Sequence, residues 1–412
     1  MLLASGRSQQ CFAWRFLGQR QKALDACREA QRIYEAAGDR AGEAESLRLQ
    51  GDALSESDVS AAMTFYRQAL AIQKDIGHLW GEATVLNQIA ILNSNRGDHK
   101  AARESFEKVL KISRRLDNKV AATGMMLNIA SELGAQGDLP KARSMFEATF
   151  RTAGELGNKE IQGIVANNIA LIDQLRGDLE PAQSGFQQAH SLLESVQDKD
   201  QLTVSINGMG DVAMVKGDFD AAEKLYQSAL AGRRDAQQKI PAAETQLNLA
   251  ALSLERGDSS GRVEATVREM IDLFHQENAT NDEAAASSLL ARILLAQGRR
   301  PDALAMAEKA LSVSAKADPS TRLAAMVTAI PILVATGRTT AVQATTRLNQ
   351  AIEEARNLGF SGTALEAMLT LGELQIRSGA VRRGRRQLQR VRIEASRRGF
   401  SVIARKAATS SA

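Results

Sequence analysis

Apolar and polar positions follow a helical beat along this chain, and the beat restarts about every 40 residues. Between Gly217 and Leu230, the apolar Ala221, Ala222, Leu225, Tyr226, Ala229 and Leu230 are spaced by threes and fours, so they share one helical face. Gly217 suits the left-handed turn that ends a helix, and Asp218 suits the cap that begins the next. Turn glycines recur at Gly18, Gly97, Gly137, Gly177, Gly217, Gly257, Gly298, Gly337 and Gly379, with Ser57-Asp58 filling the gap between the first two. Five of these ten turns read Gly-Asp. The pattern predicts helix, tight turn, helix and short polar link, repeated about ten times.

Side-chain size repeats with the same register. Seven residues before the turn sits something small: Ala90, Ala130, Ala170, Gly210, Ala250, Ala291. Five after it comes a second small row: Ala23, Ala62, Ala102, Ala142, Ala182, Ala222, Ala303. Nine after it stands a ring in the central units: Tyr66, Phe106, Phe146, Phe186, Tyr226. Small residues let two helices approach, and the ring fills the space they leave, so this row is expected in the core. After Gly257 neither the small residue nor the ring keeps its place. After Gly298, Gly337 and Gly379 the ring position holds Ala307, Thr346 and Leu388.

Small, turn glycine, small, aromatic at these offsets resembles the tetratricopeptide repeat. The period is longer than the familiar one of about 34 residues. In this it is similar to the longer-helix repeats of kinesin light chains, cell-polarity adaptors and bacterial regulators. The resemblance spans residues 11–398 and is strongest from 58 to 256. It implies an all-α fold, a right-handed superhelical α-solenoid of about ten antiparallel helical hairpins. Residues 1–398 are expected to form this array and 399–412 a C-terminal cap and tail. Phe400, Val402 and Ile403 would fold over the open end, with Thr409 to Ala412 loose. No polar capping segment precedes the apolar Cys11, Phe12, Phe16 and Leu17.

Composition narrows the class further. Apolar residues make up 44% and aromatics 4%, with only six prolines, which agrees with nearly continuous helix. Net charge is +4, yet residues 380–412 alone carry +9, which leaves the remainder near −5. Two cysteines, Cys11 and Cys27, are too few for a disulfide framework or a four-ligand zinc site, and this usage fits a reducing compartment. The longest apolar stretch, Leu323 to Ala335, contains Pro331 and falls short of a membrane span. A cytoplasmic location is expected.

No catalytic constellation emerges. Gly257-Asp258-Ser259-Ser260-Gly261 matches a nucleophile-elbow pattern but lies at an interhelical turn, with no strand ahead of it. Gly208-Met209-Gly210-Asp211-Val212-Ala213 matches a dinucleotide fingerprint, yet Gly210 belongs to the small row. His78, His99, His190 and His275 fall in different units, without metal-ligand spacing. No enzyme, cofactor or metal is expected.

The candidate binding residues are polar rows. Asn87, Gln88, Asn128, Asn167, Asn168, Asn207 and Asn248 lie nine or ten residues before the turns. Asparagine is a mediocre helix former, so its recurrence in mid-helix needs a reason. In families that this chain resembles, amides at this position hold a peptide backbone in the groove, which an amide does by both donating and accepting. The alternative is packing between helices. Arg96, Arg176, Lys216 and Arg256, directly before the turns, form either a basic rim or favourable helix C-termini. Arg382, Arg386, Arg390 and Arg397 form a C-terminal basic face that lacks interleaved aromatics, so nucleic acid is an unfavoured partner.

These features point to a non-enzymatic scaffold binding a protein or peptide segment along its concave face. A second expectation follows from resemblance to the C-terminal sensor halves of bacterial signalling proteins. There the array would serve a Ser/Thr kinase or winged-helix domain lying ahead of it in a longer protein.

Overall fold

Local chemistry dictates where each helix stops and the next begins. In the computed structural model, which describes residues 2–411, the Asp218 N–H donates to Ala213 O at 3.0 Å and the Gly217 N–H to Met214 O at 3.1 Å. Together they satisfy the last carbonyls of one helix, with Gly217 at φ +81°. The Asp218 carboxylate then accepts the Ala221 N–H at 3.1 Å and opens the next helix. Asp98 and Asp138 cap Ala101 and Lys141 in the same way. One Gly-Asp pair therefore serves two helices.

The result is 21 helices and, among the described residues, no strand. Contacts divide the chain into two units. The first, residues 1–133, holds α1 (Leu2–Phe16), α2 (Arg20–Ala36), α3 (Arg40–Leu54), α4 (Val59–Asp75), α5 (Leu79–Asn95), α6 (His99–Arg115) and most of α7 (Lys119–Ala135). The second runs on from Gly134 with α8 (Leu139–Glu155), α9 (Lys159–Arg176), α10 (Leu179–Ser195), α11 (Lys199–Lys216), α12 (Phe219–Asp235), α13 (Lys239–Glu255) and α14 (Gly261–Gln276). It continues through α15 (Thr280–Ala296), α16 (Arg300–Ser314), α17 (Pro319–Ala335), α18 (Ala341–Leu358), α19 (Ser361–Arg377), α20 (Val381–Arg398) and α21 (Ser401–Ser411). Odd helices lead into the tight turns and even helices follow them, and α21 stands without a partner of its own.

The size rows are the core. All seven alanines of the row after the turn are fully buried, and the five rings are no more than 3% exposed. Gly210 lies under the Tyr226 ring, where a Cβ would come within 2.7 Å of Cε1. Thr346, which holds the ring position after Gly337, is exposed. The turn there is longer, with Thr340 capping α18 in a capping box, and Leu348 is buried instead.

The polar links between hairpins hide a second left-handed position. Gly38, Gly77, Gly157, Gly359 and Gly399 have positive φ, and Asp117, Gln197, Gln237 and Asn278 adopt the same conformation in four further links. Apart from the turn after α3 and the link after α16, both kinds of connection close the preceding helix with a left-handed residue.

In the first unit, Cys11 and Cys27 are joined by a disulfide that ties α1 to α2. Two cysteines make no framework, but the hairpin brings this pair together as one linked bridge. No described helix is long and apolar enough to cross a membrane.

In the second unit the chain returns on itself. Phe400, Val402 and Ile403 are buried, yet they do not simply lid the last hairpin. Phe400 sits against Gly177, where a Cβ would lie 2.8 Å from its ring, and Val402 sits beside Gly217. Arg398 Nη1 donates to the Arg176 carbonyl at 2.9 Å and to Ser361 Oγ at 2.7 Å. Lys406 Nζ reaches Glu255 Oε1 at 2.7 Å. Thr409 to Ser411, expected to be loose, are helical, because Ala407 is buried and Ser410 Oγ donates to Glu373 at 2.7 Å. Ala412 lies outside the described residues.

Candidate binding chamber

The return of α21 converts an open face of the second unit into a chamber of about 520 Å³. Its lining comes from the seven odd-numbered helices α9 to α21 and the residues leading into them, and none of it from an even-numbered helix. Helical period explains this sharing of one face. Leu369, Thr370 and Glu373 stand three, four and seven residues after Glu366 along α19. Leu295, Val327, Ile332, Phe360 and Phe400 supply apolar wall. An apolar cavity of this size with a few fixed polar groups has the dimensions of a small-ligand or peptide-tip site.

Five charged residues line the chamber: Glu255, Arg292, Glu366, Glu373 and Lys406. Glu255 is 9% exposed and accepts from both Arg292 and Lys406, at 2.6 and 2.7 Å. Burial pushes its carboxyl up, but Lys406 and Arg292 outweigh that and hold the pKa below its ordinary value. Glu366 differs. It has no hydrogen bond or ion pair among the described residues, and the residue is solvent-exposed in the chamber although protein mass stands around it. That surrounding mass pushes its carboxyl pKa up, against the pull of Arg292 and Lys406.

The amide row lies outside this site. Asn167 is buried and donates to the Gln201 carbonyl at 3.2 Å, and Asn168 donates to Ile164 in its own helix. Asn207 and Asn248 belong to a network on α11 and α13. Asn248 Nδ2 donates to Asp211 and Asn207, Asn207 Nδ2 to Asp211, and Arg233 Nη1 to Thr245. Asp211 also accepts the Tyr226 hydroxyl at 2.8 Å, and burial pushes its carboxyl up to about 6. In the first unit Asn87 Oδ1 is buried without a partner. Gln88 and Asn128 are half-buried and make no side-chain hydrogen bond among the described residues. None of the seven lines the chamber.

The basic rows lie elsewhere. Lys216 pairs with Glu180 at 2.7 Å, Arg256 with Glu223 and Asp220 at 2.6 Å, and Arg176 with Asp178 at 3.4 Å, while Arg96 is exposed. The Lys216 and Arg256 pairs staple a helix end to the neighbouring hairpin, while Arg176 pairs within its own turn. Arg382, Arg386, Arg390 and Arg397 are exposed on α20. Arg390 and Arg397 border a second cavity of about 520 Å³ on the outside, between α18, α19 and α20. Fewer elements build it, and it is the less enclosed of the two. The described residues hold no cluster of three His, Cys, Asp or Glu able to ligate a metal.

The chamber charges escaped sequence reasoning. Glu366 and Glu373 recur at a seven-residue interval, but an acid on a helix reads as a solvated face until the far end of the chain is placed against it.

Comparison with known proteins agrees with this architecture. The family described as tetratricopeptide repeat matches at residues 83–116 and 284–317. The chain carries tetratricopeptide repeats. The second match falls beyond 58–256, where the motif is plainest to the eye. Among solved structures, aspartyl phosphate phosphatase F from Bacillus subtilis superposes with a TM-score of 0.59 at 14% identity, covering 71% of this chain and 75% of its own. The apo quorum sensor NprR from B. thuringiensis gives 0.57 at 13%, covering 74% and 86%. The Rap conjugation gene regulator of plasmid pLS20, in complex with the Phr* peptide, gives 0.56 at 13%, covering 76% and 97%. At such identities these proteins share the fold. No curated protein matches the sequence.

Proposed function

We propose that this protein is a non-enzymatic scaffold that binds a protein or peptide segment on the faces of its odd-numbered helices. The chamber of the second unit carries the proposal, because it joins apolar wall to fixed charge on one continuous helical face. The shared fold adds support, since the pLS20 Rap regulator is described in complex with a peptide. In the first unit, Gln88 and Asn128 offer amides to a peptide backbone, as their lack of internal partners allows. Asn167, Asn207 and Asn248 would instead set the helix spacing that shapes the face.

The test is selection of short random peptides on the intact chain, followed by hydrogen exchange with and without the best binder. Protection concentrated on α9, α15, α17 and α19 is the expected result. Protection confined to even-numbered helices would overturn the proposal.

A further inference from the structure

Within the chamber the charges do not balance. Glu255, Glu366 and Glu373 supply three carboxylates, and Arg292 and Lys406 supply two cations, a net of −1 when all are ionised. The cations are not available to a ligand on equal terms, because both are held on Glu255 Oε1 at 2.6 and 2.7 Å. Glu373 is engaged by Ser410 at 2.7 Å. Glu366 alone among the five makes no hydrogen bond or ion pair with a described residue, and it stands one turn from Thr370 and Leu369 on a wall otherwise rich in apolar side chains. Glu366 is solvent-exposed within the chamber, so its carboxylate stays hydrated and is the acidic group there left open to an incoming cation.

From this geometry we infer that the chamber takes a single positive charge on an apolar stem, an ammonium or guanidinium group, with Glu366 as its counter-ion. The inference deepens the proposed binding function and rests on it. The cation can come from a Lys or Arg side chain of a bound peptide or from a free amine. In either case the apolar stem lies against Leu295, Val327, Ile332 and Phe400 while the head meets Glu366. An anionic ligand would have to displace Glu255 from Arg292 and Lys406 first.

The test is calorimetric titration of the intact protein with hexylamine, hexanol and hexanoate, and with blocked peptides carrying a central lysine or its uncharged norleucine twin. The amine or the lysine peptide is expected to bind about tenfold more tightly than its neutral counterpart, and Glu366→Gln to remove that preference. Preference for the lysine peptide but not for hexylamine would identify a peptide as the source of the charge, and preference for both a free amine as well. As a second variant, Thr370→Lys places a tethered ammonium one turn from Glu366 and is expected to abolish amine binding while raising the melting temperature. Equal affinity for charged and neutral probes, a preference that survives Glu366→Gln, or tightest binding of hexanoate would overturn the inference. If library-selected peptides bind the inner face while every charged probe fails, the cation claim falls and the binding function stands.

Discussion

The Tyr226 hydroxyl donates to Asp211 Oδ1 at 2.8 Å, and 160 residues earlier Tyr66 makes the same bond to Asp52, also at 2.8 Å. Both tyrosines occupy the ring position after the turn, and both rings are 2% exposed. Where the row holds Phe106, Phe146 and Phe186 no acceptor is needed. Where it holds tyrosine, an aspartate on the preceding helix supplies one, since a buried hydroxyl without a partner is destabilising.

The Asp211 carboxyl gives this pair a pH signature. Its pKa is raised to about 6, chiefly by burial, so the folded chain holds the proton more tightly than the unfolded one. Its contribution to stability is therefore greatest below the unfolded value and falls as pH rises through about 6. Glu244, pushed up to about 7 by burial, acts in the same direction. Asp211→Asn is expected to gain on the native protein by on the order of 2 kcal/mol between acid and neutral pH. Denaturant unfolding of both proteins across that range measures the difference, and a constant difference would contradict it.

Close approach at the small row makes a second prediction. A Cβ on Gly210 would lie 2.7 Å from Tyr226 Cε1, and one on Gly208 would lie 2.4 Å from Phe186 Cε1. Either glycine replaced by alanine is expected to cost about 1–3 kcal/mol through overpacking. Unfolding midpoints within error of the native value would show that the rings have room to move.

The left-handed links predict a gain. Gln237 holds φ +55° and Gln197 φ +57° where other units place glycine. Gln237→Gly is expected to stabilise the protein by about 0.5–1 kcal/mol, the relief of a left-handed side-chain clash less the added freedom of the unfolded chain. Thermal melting of the single variant decides the sign.

Removal of one ion pair should loosen the end of the second unit. Lys406→Met deletes one of two cations on the buried Glu255 and leaves Arg292 in place. The expected outcome is a loss of about 1–2 kcal/mol, felt as faster amide exchange in α21, with the core of α15 unchanged. Uniform loss of protection through the unit would mean that α21 folds only with the whole.

Much of the array is legible in the sequence because its determinants are local. Gly-Asp turns, buried alanines and the ring row act within one hairpin, so a fixed register exposes them. The link glycines Gly38, Gly77, Gly157, Gly359 and Gly399 keep the same interval and were equally available. The chamber is a different matter. Arg398 meets Arg176 across 222 residues, and Lys406 meets Glu255 across 151. Such contacts depend on the accumulated curvature of many hairpins, which no single motif records. The asparagine row fell between these cases. An amide in mid-helix can reach its own preceding carbonyl, as Asn168 does, a neighbouring helix, as Asn167 does, or solvent.

The most direct test of the central claim is the affinity of a library-selected peptide for native protein and for Thr328→Trp, whose indole would occupy the chamber from α17. A loss of about a hundredfold with an unchanged melting temperature is predicted, while Arg390→Glu on the outer cavity leaves binding intact. Undiminished affinity for Thr328→Trp would place the binding site elsewhere and contradict the account.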